Sequence, residues 1–173
     1  MREHSKHMYT SPIPYPEIKV EKPNIHYAEI LMDDYAGLIS EFSAISQYIY
    51  HSYDFVSEKH KELSHMWISI AEVEMHHLNM IAQVITLLGG NPKFRGSKST
   101  NNAPWNGTFV YYGDNICSQL KADLNSEVLA INQYKNHMEL IDDKYIKAII
   151  ERIILDEKVH ILYFQEALKK YCP

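Results

Sequence analysis

Apolar residues recur at alternating steps of three and four along four stretches of this chain, the spacing of one helix face. From 27 to 53 the stripe runs Leu31, Tyr35, Leu38, Phe42, Ile45, Tyr48. From 57 to 88 it runs Leu63, Trp67, Ile70, Ile81, Val84, Leu88, and Gly89-Gly90-Asn91-Pro92 then stops the helix. From 114 to 141 it runs Leu120, Leu124, Ile131, Tyr134, Met138, Ile141. The last stripe, up to Tyr171, is Ile146, Ile150, Ile153, Phe164, Ala167, and Asp142-Asp143 opens that helix. Residues 89–113 are a polar connection, long enough to travel the length of a bundle, with Trp105, Phe109, Tyr111 and Tyr112 as candidate anchors. The pattern predicts an all-α four-helix bundle over 27–173, with one long crossover between the second and third helices. Residues 1–26 form a separate arm, in which Pro12, Pro14, Pro16 and Pro23 favour extended backbone. Ile13, Tyr15, Ile18 and Val20 give that arm a means of lying on the body or on a neighbouring subunit.

Six polar residues interrupt the stripes where a structural protein would place Leu: Glu41, Glu74, His77, Glu127, Glu157 and His160. Two pairs have Glu-x-x-His spacing, which puts carboxylate and imidazole side by side on one helix face. Hairpin arithmetic gives the four Glu one height. With turns near Ser57 and Asp142, Glu41 lies 16 residues before the first turn and Glu74 17 after it, and Glu127 and Glu157 each lie 15 from the second. At helical rise each stands roughly 22–26 Å from its hairpin.

Four carboxylates in a core cannot stay ionised unaided, because desolvation and mutual repulsion would rival the stability of a domain. Two divalent cations neutralise them, and the imidazoles complete each coordination sphere. A carboxylate-rich site with one His per metal suits iron or manganese better than zinc. Around it, Asp156 is placed to hold the far nitrogen of His77, while position 73 is Val in the other half. Tyr48 and Tyr134 lie one heptad after Glu41 and Glu127 and can hydrogen-bond a ligand, donate an electron or simply pack. Asp123 lies beside the third stripe and is a weaker candidate of the same kind. His76 falls one step off its stripe, and His4, His7, His26, His51, His60, His65 and His137 carry no partner pattern.

Composition narrows the classes. A net charge of −5 advertises no basic surface for nucleic acid or an anionic membrane. No stretch is apolar enough to span a bilayer, and the first residues lack a signal-peptide core. Cys117 and Cys172 lack a Cys-x-x-Cys partner, which argues against a disulfide framework or a rubredoxin-type site and makes a reducing cytoplasm the default.

The ligand pattern resembles that of the ferritin-like di-metal carboxylate superfamily over about residues 27–171: one Glu from each of two helices and Glu-x-x-His from each of the other two. The resemblance implies that all six residues are metal ligands and that Glu74 and Glu157 bridge and carry the catalytic role. Rubrerythrins have a second Glu on the third helix, where this chain has Ala130. The set is closer to the symmetric ferroxidase centre of bacterioferritins. The stretch Tyr15-Pro16-Glu17-Ile18-Lys19-Val20-Glu21-Lys22-Pro23-Asn24 resembles the N-terminal arm of manganese-catalase-like and spore-coat-associated relatives. In manganese catalases the residue matching Glu157 is a base beside the metals. The first expectation is therefore a di-iron oxidoreductase acting on peroxide or dioxygen, of the rubrerythrin-like peroxidase or ferroxidase type. It would use an external electron donor and assemble as a homo-oligomer. The alternatives are a dimanganese catalase, with two manganese ions in place of two iron ions, and a non-enzymatic metal-binding subunit docked through its arm.

Overall fold

Asn24 starts the first helix: its side-chain oxygen accepts from His26 N at 3.0 Å and Tyr27 N at 3.2 Å, covering two amides that a helix start leaves open. In this computed structural model, which describes residues 8–53 and 60–172, the helices are α1 (Ile25–Ala36), α2 (Glu41–Tyr53), α3 (Lys61–Leu87), α4 (Ile116–Leu140) and α5 (Lys144–Tyr171). Helix α2 packs along α3 and α4 along α5, and α1 extends the α2 corner of a four-helix bundle. The turn expected near Ser57 lies outside the described residues.

The single helix predicted over 27–53 is two helices, broken at 37–40. A Cβ at Gly37 would collide with the Asp33 carbonyl and the Ser99 hydroxyl, so the crossover approaches the backbone closely here. The Asp33 carboxylate accepts from Ser97 N at 2.7 Å, Ser99 N at 3.2 Å and Ser99 Oγ at 2.6 Å. Ser40 restarts the helix, its Oγ accepting from Ser43 N at 3.2 Å. Leu38, expected on the stripe, falls in the break and is 49% exposed.

The crossover is pinned to the bundle at both ends. Arg95 forms a two-pronged ion pair with Glu29, at 2.7 and 3.1 Å. Trp105 Nε1 donates to Ser43 Oγ at 2.9 Å, and its ring packs edge-on against Phe42. Tyr111 and Tyr112 are half exposed, and Tyr111 is held by its backbone instead, its N donating to Gln47 Oε1 at 2.8 Å. Within the arm, Tyr15, Ile18 and Val20 pack on the core, whereas Ile13 is exposed. Glu21 N donates to Asp143 Oδ2 at 2.7 Å, and the other oxygen of Asp143 caps α5.

Cys117 and Cys172 are joined in a disulfide that ties the start of α4 to the end of α5. This corrects the expectation of two unpaired thiols: the α4–α5 hairpin brings both to its open end. Among the described residues no helix is long and apolar enough to cross a membrane.

Among the described residues, two apolar clusters fill the bundle. One holds Ile81, Val84 and Ile85 of α3, Ile131 of α4, and Ile146, Ile150 and Ile153 of α5. The other holds Leu63, Trp67 and Ile70 of α3, Leu120 of α4, and Phe164 and Ala167 of α5. On α3, α4 and α5 alike, the residues between the two sets are the interrupting Glu and His, so a charged layer divides the core.

Candidate metal centre

Glu41 stands at the first residue of α2, immediately after the break. Glu74 and His77 come from the middle of α3, Glu127 from the middle of α4, and Glu157 and His160 from α5. All six are buried. Their donor atoms form two groups, each within 4.8 Å: Glu41, Glu74, His77 and Glu157, then Glu74, Glu127, Glu157 and His160. Glu74 and Glu157 belong to both groups. Each imidazole turns Nδ1 inward. His77 Nδ1 lies 2.8 Å from Glu74, 3.5 Å from Glu157 and 3.6 Å from Glu41. His160 Nδ1 lies 3.0 Å from Glu74, 3.1 Å from Glu157 and 3.5 Å from Glu127.

The electrostatics follow from burial and crowding. Burial, then the charges of Glu74 and Glu157, pushes Glu41 well above the ordinary carboxyl range; burial, then Glu157 and Glu74, does the same to Glu127. Burial also opposes ionisation of Glu74 and Glu157, but the two imidazoles outweigh it and hold both below that range. Burial disfavours charged imidazole, yet Asp156 and the surrounding Glu carboxylates raise His77, and Glu74 and Glu127 raise His160. Without metal, burial and crowding therefore favour the protonated forms of Glu41, Glu127 and both His.

The donor set fits two divalent cations. Four carboxylates match four positive charges, each group offers one imidazole nitrogen, and the oxygen-rich mixture suits iron or manganese. Among the described residues, buried Glu74 Oε1 meets only the His160 Nδ1 ion-pair contact at 3.0 Å, so a cation seated between the two would satisfy both the oxygen and the nitrogen.

The surrounding residues fix the ligands. Tyr48 donates to Glu127 Oε1 at 2.6 Å, and Tyr134 donates to Glu41 Oε1. Asp156 Oδ2 lies 3.0 Å from His77 Nε2. Burial works against the Asp156 carboxylate, but hydrogen bonds from His77, Tyr15 and Arg152 bring it down to about 2. Ionised Asp156 accepts from His77 Nε2, which leaves the inward-facing Nδ1 as the nitrogen that a cation would take in exchange for a proton.

His51 and His137, which carry no partner pattern in the sequence and read as ordinary there, each face a buried carboxylate. His51 Nδ1 lies 2.9 Å from Asp123 Oδ2, which also accepts from Trp67 Nε1 at 2.7 Å, while Gln47 Nε2 donates to Oδ1 at 2.8 Å. His137 Nδ1 lies 2.7 Å from Asp34 Oδ2, and Gln133 donates to Asp34 Oδ1 at 2.8 Å. Asp123 thus belongs to a network of its own beside the cluster. The Asp123–His51 pair is 72 residues apart in the chain, beyond any local spacing signal. Asp34 and Gln133 also line a cavity that runs from the α1–α2 break, past Ser40 and Gln47, to Glu41, Glu74, Glu127 and Glu157.

Known proteins resemble this one along most of its length. Residues 37–171 match the family model "Ferritin: Ferritin-like domain". The chain is 26% identical over 172 residues to the "Probable manganese catalase" of Clostridium acetobutylicum, covering 89% of this chain and 75% of that one. It is 28% identical over 135 residues to the bacterioferritin of Mycobacterium bovis, covering 76% and 79%. Among solved structures, the manganese catalase KatB of Anabaena superposes with a TM-score of 0.82 over 92% of this chain and 78% of its own, a likeness of fold at 21% identity. The Mycobacterium tuberculosis bacterioferritin BfrA superposes with a TM-score of 0.71 at 25% identity, over 86% and 87%. With a helical bundle, a buried carboxylate and imidazole layer, and a family match covering most of its length, the chain belongs to the ferritin-like family.

Proposed function

We propose that this chain is a dinuclear metal oxidoreductase acting on peroxide, with Glu41, Glu74, His77, Glu127, Glu157 and His160 as ligands and Glu74 and Glu157 shared between the two ions. One observation carries the reading: six buried donors fall into two groups that share two carboxylates. When bound, the two ions supply two-electron redox chemistry at an oxygen–oxygen bond. The chain's own residues supply the rest. The cavity from the α1–α2 break has a volume of about 60 Å³, room for a small molecule when roughly 10–15 Å³ of such space admits one water. Leu38, Ile39, Ala44 and Ala130 make part of its wall apolar, while Ser40, Gln47 and Gln133 make part of it polar. Glu41 and Glu127 stand at the cavity floor beside Glu74 and Glu157, so a molecule entering from the break arrives at the donor layer.

Manganese is the preferred occupant. Similarity to the manganese catalase spans 89% of this chain against 76% for the bacterioferritin. A manganese centre would disproportionate two peroxides to dioxygen and two waters without an outside electron source. The symmetry of the donor groups favours a second reading, a di-iron peroxidase or ferroxidase: each group has one imidazole, and Glu157 reaches both. That reading requires an external electron donor. The test is oxygen evolution from peroxide by protein reconstituted with manganese or with iron. Oxygen release without a donor is the expected result for the manganese form. Peroxide loss only with an added reductant would move the assignment to iron, and no turnover by either loaded form would leave a metal-binding subunit without this activity.

A further inference from the structure

His77 and His160 occupy matching positions in the two halves of the bundle, yet their outer nitrogens meet different surroundings. His77 Nε2 lies 3.0 Å from Asp156 Oδ2. His160 Nε2 is buried and has no hydrogen-bond partner among the described residues. The difference is visible in the chain: Asp156 precedes Glu157, whereas Val73 precedes Glu74.

Asp156 is itself held by the N-terminal arm. Ser11 N donates to Asp156 Oδ1 at 2.7 Å, and the Tyr15 hydroxyl donates to Oδ2. Arg152, buried one turn before Asp156, sets Nη1 2.7 Å from Oδ1. The same guanidinium donates to Ser11 O at 2.9 Å and Ile13 O at 2.5 Å, and it stacks 3.9 Å from the Tyr15 ring centre. The arm therefore reaches one imidazole of the cluster through a single carboxylate, and among the described residues nothing equivalent reaches the other.

We propose that arm residues 11–15, acting through Arg152 and Asp156, position His77, so that the metal site containing His77 binds its cation more tightly than the site containing His160. Tyr15, Arg152 and Asp156 are positioning residues in this scheme, which rests on the two-metal reading above. A carboxylate on the outer nitrogen fixes the tautomer and makes the inner nitrogen a better donor, and losing such a partner commonly weakens metal binding about 10–100-fold. Coupling between two binding events is reciprocal. If an ordered arm favours the cation, the cation orders the arm by the same factor.

The experiment titrates the metal-free full chain with Mn²⁺ by calorimetry, as wild type, Tyr15→Phe and Asp156→Asn. Hydrogen exchange of residues 9–18 is followed in the same samples. The wild type is expected to show two steps of unequal affinity. Tyr15→Phe and Asp156→Asn should weaken the tighter step, by about tenfold or more for Asp156→Asn, and leave the weaker step in place. Protection of the arm amides in the wild type should rise with the first equivalent of Mn²⁺. That measurement needs no variant and decides the matter if Asp156→Asn fails to fold. Two equivalents bound with the same affinities in all three proteins, or arm exchange indifferent to Mn²⁺, would overturn this inference alone. No Mn²⁺ binding at all would overturn the two-metal reading and this inference with it.

Discussion

Tyr48 of α2 donates its hydroxyl to Glu127 of α4 across 2.6 Å, and both side chains are buried. The reverse bond runs from Tyr134 of α4 to Glu41 of α2. Each helix thus supplies a carboxylate to the cluster and, seven residues later, the hydroxyl that holds its neighbour's carboxylate. Tyr48→Phe should lower unfolding free energy by about 1–3 kcal/mol, the cost of leaving a buried oxygen without its donor. Chemical denaturation measures it, and an unchanged midpoint would mean that the tyrosine only packs.

Glu74→Gln and Glu157→Gln should each abolish paired metal binding while leaving the bundle helical. The exchange keeps the side-chain shape but removes one of the two carboxylates that both donor groups share. Metal analysis with far-ultraviolet circular dichroism provides the check. Two ions per chain in either variant would remove that residue from the shared position.

Metal occupancy and stability should depend on pH in opposite senses. Glu41, Glu127, His77 and His160 all have raised values in the metal-free fold. Above about pH 4.5, where the lowered Glu74, Glu157 and Asp156 are ionised folded or unfolded, the native state thus binds more protons than the unfolded chain, and stability falls as pH rises. The carboxyl contribution is lost upward from about pH 4.5 and the imidazole contribution upward from about pH 6.5, as each group passes toward its folded value. Cations compete with those same protons, so affinity for Mn²⁺ should rise with pH. Melting curves of metal-free and Mn²⁺-loaded protein between about pH 6 and pH 9 should diverge as pH increases. Parallel curves would contradict the proton inventory of the cluster.

Reducing the Cys117–Cys172 bond, which closes a separation of 55 residues, should cost about 2–4 kcal/mol of stability by releasing a constraint on the unfolded chain. Denaturation with and without reductant measures the loss. Equal midpoints would show that the α4–α5 hairpin restricts the unfolded chain by itself.

The bundle, the crossover and the charged layer were legible because each leaves a periodic trace. Glu74, His77, Glu157 and His160 occupy positions where the stripe demands an apolar residue, and hairpin counting levels them with Glu41 and Glu127. The α1–α2 break left no such trace. Leu31, Tyr35, Leu38 and Phe42 keep their spacing through it, and the break depends on the approach of Ser99 to Gly37, a contact between distant segments. The Asp123–His51 and Asp34–His137 pairs were hidden for the same reason. Tyr15 sits in a proline-rich arm with no period to betray which way it faces. The cysteines could have been found: counting from the turn near Asp142 places Cys117 and Cys172 toward the same end of their hairpin, as it does Glu127 and Glu157 at mid-height.

In the proposed function, one buried layer holds two metal ions. Anomalous diffraction from crystals of Mn²⁺-loaded protein tests it most directly. The expected result is two peaks in the layer, one beside His77 Nδ1 and Glu41, the other beside His160 Nδ1 and Glu127, with Glu74 and Glu157 between them. A loaded crystal with one peak, or with peaks only outside this layer, would contradict the account.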